Sequence, residues 1–319
     1  MKNYILLVAA ALMLGACSND ENLDNLNGPV ELRLTSGLEV QTRNSHNLDT
    51  QLKNGELVHV WVDDAKTDKE LYADNTLTAG DQGALTGGET MYFPETGNGV
   101  DIYAIHGNFA QDADFTNFWT TEQTHSVAQD QRTGQGIDGY AQSDLVYAQV
   151  LDQARTKQAV NLTFTHLLSK VEVVLVRGKG YPNIDRVEIL NTKLEAKFTP
   201  AKAEGDITVT VSGTEGENPI EIDKDLTSKT NAAGNDESKK KLNEAVIVPQ
   251  TLASGTAFIR VTTNEGGALI YKLKQETTFA PATKYRYTVT ANLTGLEVTA
   301  TITPWIPQTG DDNGVAEME

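Results

Sequence analysis

Apolar and polar residues alternate along most of this chain with a period of two. From Val30 the even positions read Val30, Leu32, Leu34, Ser36, Leu38, Val40 and Thr42, and the odd positions read Glu31, Arg33, Thr35, Gly37, Glu39, Gln41 and Arg43. Successive side chains of a strand point to opposite faces, so the pattern predicts a strand with one buried and one wet face. It is long beside the usual length of about 5–6 residues. The alternation returns in Val58, Val60 and Val62, with His59 and Trp61 on the opposite face, and in Val100–His106 after the turn-forming residues 94–99. Residues 161–176, 186–190, 206–212, 244–248, 257–263, 268–273, 284–293 and 296–303 read the same way. The best helical stretch is short, residues 112–123. Many short strands between Gly, Asn and Asp turns predict an all-β chain built of sandwiches.

Breaks in the pattern divide the chain. Residues 149–157 are polar, and the strand beginning at Val160 is expected to start a new core, giving an N-terminal unit over 29–157 and a C-terminal unit over 158–306. Residues 227–241 are polar and charged and are expected to form an exposed insertion. Beyond Trp305 the chain turns small and acidic through Asp311, Asp312, Glu317 and Glu319, an acidic tail over 307–319.

The N-terminus follows a different rule. Lys2 carries the one positive charge ahead of an uncharged apolar run from Ile5 to Leu14, and Gly15 and Ala16 stand directly before Cys17, the only cysteine. That reads as a secretory signal peptide of the lipoprotein kind over residues 1–16, and its resemblance to the bacterial lipobox implies cleavage between Ala16 and Cys17 with acylation of Cys17. The run is far shorter than the ~20 apolar residues that cross a bilayer, which disfavours a permanent membrane span. Residues 17–28, rich in Asn and Asp, read as a flexible tether from the lipid to the folded body, and the lipoprotein resemblance implies that it holds that body at the outer membrane, on the cell surface.

The formal net charge of −18 argues against nucleic acid and anionic membrane surfaces as partners. With Cys17 taken up by lipid, the folded body has no thiol for a disulfide, a zinc site or nucleophilic catalysis. Gly134, Gly136 and Gly139 match the dinucleotide fingerprint, but Asp130–Thr133 before them does not read as a buried strand, so the glycines read as a loop. The five histidines, His46, His59, His106, His125 and His166, never fall at metal-ligand spacing, and read as structural imidazoles. His106 is placed on the face of Ile102 and Ala104, and His166 on the polar side of its strand. No Gly-x-Ser-x-Gly occurs. Asp112 with Asp114, and Asp311 with Asp312, lack the further oxygen ligands of a calcium loop. No catalytic residue, metal or cofactor is expected. Trp61, Trp119 and Trp305 could stack against a sugar ring, but filling core edges or a seam between units is the better reading.

Several segments taken in order resemble a known family: residues 30–43 ending in Arg43, residues 91–94 followed by 100–104, residues 143–148, residues 162–171, residues 245–250, residues 279–285, and a last strand closing on Pro304 and Trp305. Together they resemble the fimbrillin family of Bacteroidales, the lipoprotein subunits of type V pili, and residues 18–22 resemble the surface-export signals of Bacteroidota lipoproteins. The resemblance implies two tandem transthyretin-like β-sandwich domains and a fimbrium supporting cell adhesion. It implies export by the lipoprotein machinery, cutting after an arginine by an Arg-specific protease, loss of the first strand, and its replacement by the C-terminal strand of another fimbrial subunit. Arg43 is the candidate processing site; Arg33 lies mid-strand, where pairing is expected to protect it. The alternative is a monomeric surface lipoprotein that binds a glycan or protein through its loops.

Overall fold

The computed structural model describes residues 28–38, 52–110, 113–132, 139–177, 184–202, 207–212, 219–224, 241–292, 294–305 and 316–317. Nearly all regular structure in it is β, as the alternation predicts.

The first core is a closed barrel. Its strands are β1 (Leu34–Leu38), β2 (Leu57–Asp64), β3 (Glu70–Ala79), β4 (Ala84–Thr86), β5 (Val100–His106), β7 (Val146–Gln153) and β8 (Val160–His166); β6 (Gln123–Ser126) and the single helical turn α1 (Gly139–Ser143) lie between β5 and β7 in sequence. Around the barrel the order is β1-β4-β3-β2-β5-β7-β8, and β1 closes it by running antiparallel to β4 and parallel to β8. Alternation explains the interior: Val58, Val60 and Val62 of β2, Val100, Ile102 and Ala104 of β5, and Leu162 and Phe164 of β8 all point into it. Residues 112–123, read as the best helix, hold only a short 3-10 turn at Phe118–Thr120 among their described residues, and β6 begins at Gln123.

The expected start of a new core at Val160 is not what this strand does. Residues 154–159 connect two neighbouring strands of the barrel, and Val160, Leu162 and Phe164 belong to the barrel interior. The change of core comes at Leu167 and Leu168, both buried, where the chain passes directly from β8 into β9 (Ser169–Arg177). A continuous run of strand-forming residues hides this step, because a strand ending in one core and a strand starting in the next have the same composition.

The second core follows: β10 (Ile184–Ile189), β11 (Glu195–Phe198), β12 (Val209–Ser212), β13 (Ile220–Lys224), β14 (Lys241–Ile247), β15 (Gln250–Leu252), β16 (Ala257–Thr263), β17 (Ala268–Lys272), β18 (Thr277–Phe279), β19 (Thr283–Asn292), β20 (Gly295–Pro304) and β21 (Ala316–Glu317). One sheet has the order β13-β10-β16-β17 and another β14-β9-β19-β20-β21, while β15 pairs with β18. Val171, Val173, Tyr285, Tyr287 and Val289 share an apolar cluster with Val187, Ile189, Phe258, Ile259 and Val261.

That cluster continues onto the outside of the barrel. Trp61, Tyr103, Ile105 and Tyr147, on the outward faces of β2, β5 and β7, belong to it together with Phe118 and Phe198. β6, reached from β5, pairs with β11, and so the β5–β7 connection is built into the second half. The two cores are thus joined by a packed aromatic seam.

Candidate assembly site: the first strand and its bed

β1 is short, yet it is gripped from both sides. Leu34–Leu38 run alongside Val160–Phe164 of β8, and Leu34 and Thr35 oppose Leu85 and Ala84 of β4. Upstream, the Leu32 amide donates to the Met91 carbonyl at 2.9 Å, the Phe93 amide donates to the Val30 carbonyl at 2.9 Å, and the Val160 amide donates to the Arg33 carbonyl at 2.8 Å. The Arg33 guanidinium donates to the Lys157 carbonyl and that of Arg155 to the Gly28 carbonyl. Val30, Leu32 and Leu34 are buried in the barrel interior, and Ser36 is buried with its hydroxyl donating to the Gly83 carbonyl at 3.1 Å. Full burial of such an aliphatic side chain contributes about 1.5–3 kcal/mol.

The chemistry of the place follows from these contacts. Taking β1 away leaves an apolar trough flanked by the unpaired edges of β4 and β8. A segment that fills it must be extended, apolar at every second position, and able to supply backbone donors and acceptors to both edges.

At the far end of the chain, β20 pairs with β19 along its whole length, from Thr283 opposite Pro304 to Asn292 opposite Gly295. Its outer edge carries Ala316 and Glu317, opposite Ile302 and Thr301. Trp305 follows directly, 2% exposed, its amide donating to the Ala282 carbonyl at 2.6 Å.

Trp305 covers an ionic cluster that sequence reasoning does not find. The Lys170 ammonium, wholly buried, lies 2.8 Å from a Glu244 oxygen and 3.8 Å from Glu172, and sits over the rings of Tyr140 and Trp305. Burial pushes the Glu172 carboxyl up, but Lys170, Lys284 and Arg286 outweigh it and hold the group below the ordinary carboxylate range. Lys170 and Glu172 alternate with Val171 and Val173, so in sequence they read as the wet face of a strand. β9 instead is buried on both faces.

The sequence-predicted residues divide in two. Ala16, Cys17, Arg43, the residues read as signal peptide, nearly all of those read as tether and insertion, and all of the acidic tail except Ala316 and Glu317 lie outside the described residues. Arg33 is described: it is exposed, with its carbonyl bonded to β8. Trp61 packs on Phe118 and Trp119 in the seam, and Trp305 on His166, so both are covered by protein. His106 faces as expected, its Nδ1 donating to the Leu57 carbonyl at 2.8 Å. His166 does not lie on the polar side of β8. Alternation puts it with Leu162 and Phe164, and burial is tolerated because its Nδ1 pairs with Asp144 at 2.9 Å. Among the described residues no group of three or more His, Cys, Asp or Glu is placed to hold a metal, and no helix is long and apolar enough to cross a membrane.

Comparison with known proteins gives a consistent result. Residues 42–305 match the family described as fimbrillin-like. A Bacteroides uniformis protein named "Putative fimbrium subunit Fim1C" is 26% identical over 335 aligned residues, which span 99% of this chain and 100% of that one. The crystal structure of a "putative cell adhesion protein" from Bacteroides uniformis has a TM-score of 0.60 at 22% identity, covering 88% of this chain and 100% of its own. Another so described, from Bacteroides ovatus, has a TM-score of 0.60 at 16% identity, covering 88% and 99%. At these identities the two structures speak for the fold.

Proposed function

The chain belongs to the fimbrillin-like family, and on that premise we propose that it is a fimbrial subunit, exported as a lipoprotein and assembled by exchange of its first strand. It acts as a structural and adhesive protein of a cell-surface appendage, with other fimbrial subunits as its partners.

The observation that carries this reading is the placement of β1. A strand at the start of the body, rather than one from its middle, closes the barrel between β4 and β8. Cutting the chain just beyond it converts a covalent part of the sheet into a replaceable peptide. Arg43 lies five residues past Leu38, the last residue of β1, and closes the alternating pattern. Arg33 would be a poor site, since its carbonyl is bonded within the barrel. Lipid attachment at Cys17 fits the apolar run ending in Leu14, Gly15 and Ala16. The division into two transthyretin-like units, with the change of core after His166, belongs to the same proposal.

The incoming segment must match the bed. Residues 307–319 offer Val315, Ala316 and Met318 as their aliphatic side chains, among Asp311, Asp312, Glu317 and Glu319. β20 has the better pattern, with Leu296, Val298, Ala300 and Ile302 alternating with Glu297, Thr299, Thr301 and Thr303. β20 is therefore the stronger donor candidate of the two.

Treatment of the delipidated protein with an Arg-specific protease tests the proposal. The expected result is a cut after Arg43 followed by ladders resistant to dodecyl sulfate, abolished by Arg43→Ala. A chain that remains monomeric after that cut, with β1 still bound, would overturn it.

A further inference from the structure

We propose that the second core carries a pocket for a small aryl carboxylate bearing a second oxygen at its far end; this stands apart from strand exchange. The pocket, of about 430 Å³, lies between β20 and the end of β17 with the connection that leads on to β18. Its apolar walls, Tyr271, Val298 and Ala300, are half-buried and so keep surface that a ligand would cover. Leu273 and Tyr287, both buried, close it on the core side. An apolar cavity of this size with a few polar groups is the usual form of a small-molecule site.

Two groups define the occupant. Tyr287 is 1% exposed, and its hydroxyl is buried without a hydrogen-bond partner among the described residues. A buried polar group left unpaired costs free energy, which an oxygen of the ligand would recover. Burial and the neighbouring phenols of Tyr271 and Tyr285 push the pKa of Tyr287 up, so the hydroxyl stays protonated and able to donate. At the mouth Lys274, exposed, is the one charged residue of the lining, and no Asp or Glu stands beside it there. In a chain of formal net charge −18, that local balance selects an anion. Between the two ends, the half-buried ring of Tyr271 offers a face to a flat body. The connection over residues 273–276 bounds one end, so the pocket suits a compact ligand rather than an extended segment.

The test titrates the full, uncut chain with para-coumarate, which has a carboxylate at one end and a hydroxyl at the other, by isothermal calorimetry. Saturable binding is expected. Cinnamate, which lacks the hydroxyl, should bind about fivefold more weakly, and para-coumaramide, which lacks the charge, about tenfold more weakly. Tyr287→Phe should abolish the first difference and Lys274→Gln the second, each leaving the other intact. Because the Tyr287 hydroxyl has no partner to lose, Tyr287→Phe should not lower the urea midpoint of the free protein. Absence of saturable binding, or differences between ligands that persist in both variants, would overturn the proposal. A lowered midpoint in Tyr287→Phe would do so too, since the hydroxyl would then be satisfied already. Binding that weakens as protein concentration rises would assign the pocket to a second copy of the chain instead.

Discussion

His166 and Trp305 lie face to face, their ring centroids 3.6 Å apart and their planes 10° from parallel. The histidine ends the last strand of the barrel, and the tryptophan follows the last long strand of the second core, so this stack ties the two cores where the C-terminal segment begins. Removing a buried aromatic side chain costs about 3–5 kcal/mol, because transfer and cavity terms add. Trp305→Ala should lower stability by that order in urea unfolding. It should also make the bonds after Pro304 more susceptible to limited proteolysis than those in β1.

The Lys170 cluster carries its own prediction. Removing one partner of a buried ion pair costs about 3–5 kcal/mol, whereas replacing both with apolar groups of similar size is often neutral. Lys170→Met removes the cation that lies 2.8 Å from Glu244 and should destabilise strongly. Adding Glu244→Leu should recover most of the loss. A double-mutant cycle measured by urea unfolding reads the coupling, and additive losses would mean that the two groups do not act together.

How much of this could be read along the chain depends on which physical signal each feature leaves. Alternation sufficed for β5 and β8, since a face buried in the barrel demands an apolar residue at every second position. The same rule mislocates the change of core, because Leu167 and Leu168 interrupt nothing that composition can register. The closure of the barrel was hidden for another reason: β1 pairs in parallel with β8, residues some 126 positions apart, as with Leu34 and Val160. No local pattern specifies a parallel partner. Lys170 and Glu172 read as a wet face because their burial depends on distant parts of the chain: Tyr140 and Trp305 cover Lys170, and Lys284 and Arg286 pair with Glu172. Trp61 was legible as a seam residue, though not which rings it meets.

His125 gives a pH prediction with a definite sign. Its Nδ1 accepts the Asn108 amide at 3.1 Å and its Nε2 donates to the Ser143 carbonyl at 2.9 Å, so the folded site holds the neutral ring. Burial is the main cause that pushes its pKa from 6.5 down to about 4. The unfolded chain therefore takes up a proton that the folded chain refuses. Stability should be unaffected by this group above about pH 6.5, fall as pH drops, and be lower by about 3 kcal/mol once pH is below the folded value. His125→Gln should flatten the slope of urea midpoint against pH between these limits, whatever it does to the midpoint at neutral pH. An unchanged slope would show that the ring does not titrate as the geometry demands.

Gly83 lies directly against β1 and controls how firmly that strand is seated. Its φ of +75° is strained for any L side chain, and a Cβ placed there would sit 2.2 Å from the Ser36 carbonyl oxygen. No Cβ is tolerated at that distance, so Gly83→Ala must push the Ser36 backbone away, at a cost, and weaken the hydrogen bond from the Ser36 hydroxyl to the Gly83 carbonyl. The damage should be local to β1 and its neighbours. Hydrogen exchange would then quicken at Ser36 and Leu38, while Val171 and Val173 in the second core keep their protection. In the chain cut after Arg43, the same substitution should hasten loss of the first strand and uptake of a replacement peptide. Equal quickening of exchange in both cores would instead mean that seating β1 is inseparable from folding the whole molecule, leaving no strand that could be exchanged alone.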